Sequence, residues 1–149
     1  MIIVRDLEQR DRAAWQELYA GYGEFYDVPL TQEKADFVWR GLLDPGYESF
    51  ALVAVDDAHD RPIGLAHFRE FARPLAGCTG IHLDDLFTAP DARGSGAATA
   101  LISRLKELAT ERGCDIVRWI TASDNVTAQR LYDQVATRTE WVTYDLKVG

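Results

Sequence analysis

The chain has 149 residues, of which 24 are acidic and 16 basic, for a formal net charge of -8. That length suits one domain with its own core; the acidic balance disfavours nucleic acid, which is held largely by Lys and Arg on phosphates, and favours a cationic partner through long-range attraction. Cys78 and Cys114 have no partner spacing and imply neither a disulfide framework nor a metal knuckle. No apolar run approaches the roughly 20 residues of a membrane span, and the N-terminal MIIVRDLEQRD has no secretory apolar region. A reduced, cytoplasmic setting without a membrane partner is expected.

Ile2 to Arg5 reads as a short strand. Trp15, Leu18, Tyr19, Tyr22, Phe25 and Tyr26 then recur at helical spacing, giving an amphipathic first helix whose aromatic stripe belongs mainly to the core. Its end, Tyr22 to Asp27 (YGEFYD), sets acids between aromatics, so Glu24, Tyr26 and Asp27 are candidates for meeting an amine substrate. Thr31 is a credible N-cap for a second helix carrying Phe37, Val38, Trp39 and Leu42, which stops before Pro45-Gly46. Two helices joined by a short aromatic loop predict a flap over one end of a sheet, able to select an acceptor.

Phe50 to Val55 and Ile63 to Phe71 read as strands joined by a hairpin turn at DDAHDRP. His67, alone in the second of these, is expected to be a surface or hydrogen-bonded residue rather than a catalyst. After a loop at 73–80, Ile81 to Phe87 (IHLDDLF) places two carboxylates in a run that belongs at the centre of a sheet. Acids there imply a wet cleft or a structural hydrogen bond, because a buried unpaired carboxylate is costly. In a regular strand Asp84 shares a face with His82 and Leu86, and Asp85 with Leu83 and Phe87; one bulge exchanges the two sets.

The stretch FTAPDARGSGAATALISRLKEL runs from that strand through a turn into a helix with Ala98, Leu101, Ile102, Leu105, Leu108 and Ala109 on one face, ending at Gly113. Gly94 and Gly96 stand where the helix starts, and its first turn leaves about four N–H groups without intrahelical partners. Those donors and the helix dipole suit phosphate oxygens, with Arg93 at the rim; a tight turn at the foot of a surface helix also fits a G-x-G pair. The run lacks G-x-x-x-x-G-K-[ST] and the third glycine of a dinucleotide fingerprint. Ile116 to Thr121 then reads as a strand, TASDN as a loop, Val126 to Val135 as a helix, and Trp141 to Val148 as a closing strand. The order is βααβββαβαβ, and no internal repeat or low-complexity tract asks for more than one domain over 1–149.

Arg93-Gly94-Ser95-Gly96-Ala97-Ala98 fits the R/Q-x-x-G-x-G/A motif of the Gcn5-related N-acetyltransferases, and Asn125-Val126-Thr127-Ala128-Gln129-Arg130-Leu131-Tyr132 is similar to their N-x-x-A-x-x-L-Y run. The chain resembles that family over essentially its whole length, most of all the yeast histone and polyamine and the diamine acetyltransferase subgroups. The resemblance implies one α/β domain with a mixed, mostly antiparallel central sheet, splayed central strands and about four helices. It implies acetyl-CoA as cosubstrate, with no metal. Arg93, Gly94, Ser95, Gly96, Ala97 and Ala98 would hold the pyrophosphate, Phe87 and Thr88 the pantetheine arm, and Asn125 and Ala128 would lie beside the cofactor.

The implied reaction is acetyl transfer to a primary amine of a small cationic molecule. Asp84 is the first candidate for the base and Asp85 the reserve, with Tyr132 as the donor to the leaving sulfur. Asp84 stands where the diamine enzymes carry glutamate, one methylene longer. Protein or peptide lysine acetylation, and a non-catalytic acyl-CoA-binding module, are the alternative readings; a homodimer, sometimes with exchanged C-terminal strands, is the expected assembly by resemblance.

Overall fold

Alternating apolar residues build the strands of this chain, and apolar spacings of three and four build its helices. The computed structural model describes residues 1–149 and runs β1 (Ile2–Asp6), α1 (Arg12–Phe25), α2 (Gln32–Leu43), β2 (Ser49–Asp56), β3 (Arg61–Arg73), β4 (Cys78–Thr88), α3 (Ala97–Glu111), β5 (Val117–Arg118) and α4 (Val126–Val135). The sheet order is β1-β2-β3-β4-β5, antiparallel throughout except for the parallel β4–β5 pair. The fold class is therefore α/β with a mostly antiparallel mixed sheet and four helices, as the sequence implied. The chain forms two compact units, Met1–Trp119 and Ile120–Gly149. No helix is long and apolar enough to cross a membrane.

Within the first unit the strand period sends alternate residues to opposite layers. Val53, Val55, Leu65 and Phe87 pack with Trp15 and Leu18 of α1 and with Ala35 and Trp39 of α2. On the other face, Gly64 lies so close to Ala97 and Leu101 of α3 and to Ala54 that a Cβ on it would meet each at 3.3 Å. The buried face of α3 is Ala97, Leu101, Ile102, Leu105, Leu108 and Ala109, so Ala97 takes the place expected for Ala98. The N-cap of α2 is Thr31, whose side chain accepts the Lys34 N–H. Phe37, expected on the buried face of α2, is 61% exposed, because Ala35 and Trp39 at i and i+4 define that face and position 37 lies between them.

Two expected strands differ from the structure. Only Val117 and Arg118 of Ile116 to Thr121 pair with β4, opposite Ile81 and His82. Beyond His82, β4 is distorted by a bulge, and a straight strand cannot keep register with it. Trp141 to Val148 forms no strand, and Trp141, Tyr144 and Val148 are 83%, 90% and 96% exposed. Alternation shows which side of a strand would be buried; it supplies no neighbouring edge for the backbone groups.

The entrance to α1 is fixed by charge. Asp11, 4% exposed, accepts two hydrogen bonds from Arg5 at 2.7 and 2.9 Å and a third from the Glu8 N–H at 2.8 Å. Burial alone raises the Asp11 carboxyl, but the Arg5 and Glu8 donors outweigh it and the net direction is down. A carboxyl lowered by folding contributes stability above its unfolded value and loses it as pH falls through the folded one. Asp11→Asn is therefore expected to cost about 3 kcal/mol at neutral pH in urea titrations, with the difference from wild type shrinking on acidification.

Candidate active site

The pairing of β3 with β4 decides where the two acids go. His67 opposes Asp85 and Phe68 opposes Leu83, so Asp84 is the extra residue of a β-bulge. The bulge brings both carboxylates to the α1 face. Asp84 accepts from Arg69 Nε at 3.2 Å on each oxygen and meets His82 Nδ1 at 3.1 Å. Asp85 Oδ2 lies 2.8 Å from His67 Nδ1, and the Tyr19 and Tyr22 phenols share the same carboxylate. Asp84 is thus tied to a permanent cation near the surface, whereas Asp85 is held by an imidazole from the interior.

His67 is 3% exposed, and its Nε2 receives the indole N–H of Trp15 at 2.9 Å. Of the two expectations for this histidine, surface or hydrogen-bonded, the second is observed, and the sequence marks neither Trp15 nor His67 as part of a site. One signal was present: a lone histidine and an aspartate interrupting adjacent apolar strands are each other's natural partners, since neither is stable in the core alone. Tyr19 stands edge-on to His67 at 4.6 Å between ring centroids, and the Tyr22 ring stands edge-on to Phe87. Both phenols are pushed well above the ordinary tyrosine value, first by burial and then by the Asp85 charge.

Tyr19 and Tyr22 also wall a cleft of about 830 Å³ between α1 and α2, which Tyr26, Leu30, Phe37 and Val38 line as well. The two helices expected between the first and second strands form this cleft while packing as a layer on the face of the sheet. Tyr26 lines it, and Glu24 and Asp27 do not; the acid on its wall is Glu33. Glu24 and Asp27 are exposed at the end of α1, where Asp27 takes a left-handed backbone with φ of 57°.

Beyond His82 the outer edge of β4 has no strand beside it. Ala89 N–H bonds Ile63 O at 2.8 Å, so by alternation Phe87 turns its main-chain groups to β3, and Leu86 and Thr88 turn theirs to the open edge. Phe87 itself is 9% exposed and lies under α1, where a Cβ on Gly21 would fall 2.8 Å from its ring. Its side chain is core; a ligand along this edge meets the amides of Leu86 and Thr88 instead.

The edge leads to the head of α3. Gly94 and Gly96 have φ of 82° and 89°, a conformation that disfavours any Cβ, and a Cβ on either would meet no protein atom within 4 Å. The helical ladder starts with Ala100 N–H on Gly96 O at 3.0 Å, so the amides of Ala98 and Thr99 precede the first rung. Ser95 Oγ accepts from Ala97 N–H at 3.4 Å, and Arg93 is exposed with its guanidinium 5.6 Å from the Phe87 ring centre.

In the second unit, Asn125 begins α4 and donates through Nδ2 to Thr121 Oγ1 at 3.2 Å. Gln129 Nε2 donates to the carbonyls of Ala122 and Ser123, both at 3.0 Å, which fixes the loop before α4. Ala128 and Tyr132 are half-buried on this helix.

Residues 12–136 match the model of the acetyltransferase (GNAT) family. The chain belongs to that family. It is 29% identical over 143 residues to the D-amino-acid N-acetyltransferase HPA3 of Saccharomyces cerevisiae, covering 96% of this chain and 89% of the yeast protein. An aminoglycoside acetyltransferase from an uncultured soil metagenomic sample superposes with a TM-score of 0.78 at 27% identity, over 100% of this chain and 99% of the other. The aminoglycoside enzyme AAC(6′)-Iy, solved with a CoA-containing bisubstrate analogue, shares the fold with a TM-score of 0.83 at 19% identity, over 100% and 99% of the two chains.

As a GNAT enzyme the protein is an acetyltransferase with acetyl-CoA as cosubstrate. Its residues fit that group: positive-φ glycines, a helix head with amides outside the ladder, and an open strand edge. No cluster of His, Cys, Asp and Glu is arranged to hold a metal ion. Removing the Asp85 charge takes away one cause that raises both Tyr19 and Tyr22; burial, the larger cause, remains, together with the Asp84 charge at Tyr19 and the neighbouring phenols at Tyr22. In Asp85→Asn both phenols are expected to ionise at lower pH than in wild type yet still above an ordinary tyrosine, as read by tyrosinate absorbance against pH.

Proposed function

We propose that the protein transfers the acetyl group of acetyl-CoA directly to the primary amine of a small cationic molecule, with Asp85 as the base. The observation that carries this reading is the carboxylate of Asp85, held at Oδ2 by His67 and packed against the two tyrosines that wall the α1–α2 cleft. Acetyl-CoA supplies the activated acyl group. The amine arrives protonated, since an alkyl ammonium has a pKa of about 10.4, and must give up a proton before its lone pair can attack. Asp85 Oδ1 receives that proton, directly or through water. Asp84, the first choice from sequence, has both oxygens on Arg69 and is less available.

In the same reading Arg93, Gly94, Ser95, Gly96, Ala97 and Ala98 hold the pyrophosphate, and the main chain of Thr88 takes the pantetheine amides. The Leu86 amide, the other outward-facing donor on this edge, polarises the thioester carbonyl. Asn125, Ala128 and Tyr132 are assigned from the N-x-x-A-x-x-L-Y resemblance, Tyr132 donating its phenolic proton to the sulfur, with 1–149 read as one N-acetyltransferase domain. The net charge of -8 draws in a cation, and the aromatic cleft with Glu33 on its wall suits an amine carried on an apolar or polyamine-like body. The printed activities of the yeast and soil relatives, on D-amino acids and aminoglycosides, add those classes to the acceptor panel. A cytoplasmic setting belongs to this reading, consistent with free Cys78 and Cys114.

Release of CoA, followed across pooled polyamines, D- and L-amino acids, aminoglycosides and lysine peptides, tests the assignment. Turnover with small amines is expected; turnover with lysine peptides alone defeats the acceptor class, and bound CoA without turnover leaves a regulatory module. Asp85→Asn and Tyr132→Phe are each expected to lower kcat by about a hundredfold with the fold intact, and Asp84→Asn by less than either. The opposite order of the two aspartates returns the role of base to Asp84.

The C-terminal segment supports a homodimer as part of the proposal. Val142, Tyr144, Leu146 and Val148 alternate and are 75% to 96% exposed, a run of apolar surface that a second copy would cover. Light scattering is expected to give twice the chain mass of 16.7 kDa and, after removal of residues 140–149, the chain mass. A monomer before truncation rejects the dimer.

A further inference from the structure

His67 is fully enclosed on a central strand with both ring nitrogens engaged. An indole N–H donates and cannot accept. Because Trp15 aims its N–H at Nε2, that nitrogen presents a lone pair, and the single ring proton is on Nδ1, directed at Asp85 Oδ2. A second ring proton would set an N–H against an N–H inside the core, with no water to separate them. Trp15 cannot turn away easily: it is 0% exposed, wedged against Tyr19 and Trp39 with ring centroids at 5.6 and 5.0 Å.

We infer that Trp15 and His67 are positioning residues for Asp85: the indole fixes the imidazole as a neutral donor, and the imidazole fixes the carboxylate so that Oδ1 faces the acceptor amine. The inference rests on the acetyl-transfer reading of Asp85. Its chemical content is that the histidine is barred from being the base. When the acceptor ammonium loses its proton, an N–H bond breaks and an O–H bond forms on Asp85. The proton cannot continue inward, because Nδ1 already carries one and Nε2 is filled by the indole donor. It leaves by the solvent-facing side of Asp85, whose side chain is 20% exposed.

The groups packed around the ring agree with this role. From α1 come Trp15 and the phenol of Tyr19, with Tyr22 next to it over Asp85; from β4 comes Asp85, with Asp84 beside it; and from β3 comes Arg69, bound to Asp84. The one formal cation in this set is already paired with Asp84. A structural histidine needs only to satisfy its own nitrogens. This one joins a core indole to the one carboxylate that shares the cleft-lining tyrosines.

The test joins spectroscopy with kinetics. In ¹⁵N-histidine-labelled wild-type protein, the His67 ring is expected to show Nδ1 protonated and Nε2 bare. In Trp15→Phe, which takes the donor from Nε2, the single tautomer is expected to be lost. There kcat falls about tenfold and its acid limb moves, with KM for acetyl-CoA unchanged. His67→Leu is expected to lower kcat by about tenfold to a hundredfold. His67→Gln, whose amide both accepts from the indole and donates to Asp85, is expected to stay within a few-fold of wild type.

Circular dichroism and thermal melts identify folded variants. An Nε2-protonated ring in the wild type overturns the inference, as does a folded His67→Leu with wild-type kcat and pH profile. A wild-type protein that turns over no amine removes the Asp85 reading and the positioning role with it, and the ring spectrum then reports the tautomer separately.

Discussion

Asp84 has no residue opposite it on β3, and that single insertion governs the chemistry of the sheet. In a regular strand the neighbouring acids would point to opposite layers, one of them into the apolar packing beneath α3. The bulge turns both toward α1 and divides their surroundings, with Asp84 beside the exposed guanidinium of Arg69 and Asp85 beside the enclosed ring of His67. Two identical side chains, adjacent in sequence, thereby become chemically different. Environment, not residue type, tells them apart.

The interior partners of Asp85 carry an energetic risk that explains their completeness. A buried donor left without an acceptor costs about 1–3 kcal/mol, so a half-made chain of Trp15, His67 and Asp85 would be worse than an apolar core. Here each link is made, at 2.9 and 2.8 Å, and no enclosed side-chain nitrogen or oxygen lacks a partner. The aromatic packing of Trp15 on Tyr19 and Trp39 holds the first link, so the hydrophobic core of α1 and α2 supplies the rigidity on which a polar site depends.

Much of this was legible in the residues. The periodicity of α3 and its leading glycines located the turn into that helix, because a left-handed backbone at Gly94 and Gly96 leaves a direct mark on composition. The aromatic stripe of α1 and the Thr31 cap located the two helices between β1 and β2. What stayed hidden depends on pairing across distance. Which aspartate meets which partner was set by a bulge that one strand's sequence cannot reveal, and His67 gained its role from a tryptophan 52 positions away. The closing strand was misread for a related reason, since Trp141 to Val148 has the alternation of a strand and no neighbour in this chain.

The same insertion at Asp84 has a second effect, on colloidal behaviour. From Leu83 to Thr88 the outer rim of β4 carries backbone donors and acceptors with no ladder, the kind of surface on which foreign strands assemble into aggregates. A bulge twists such a rim out of the flat geometry a docking strand requires, and paired charges at its kink make an intruder's apolar residues unwelcome. The irregularity that aims the acids thus also guards an exposed flank of the sheet against fibrillar growth.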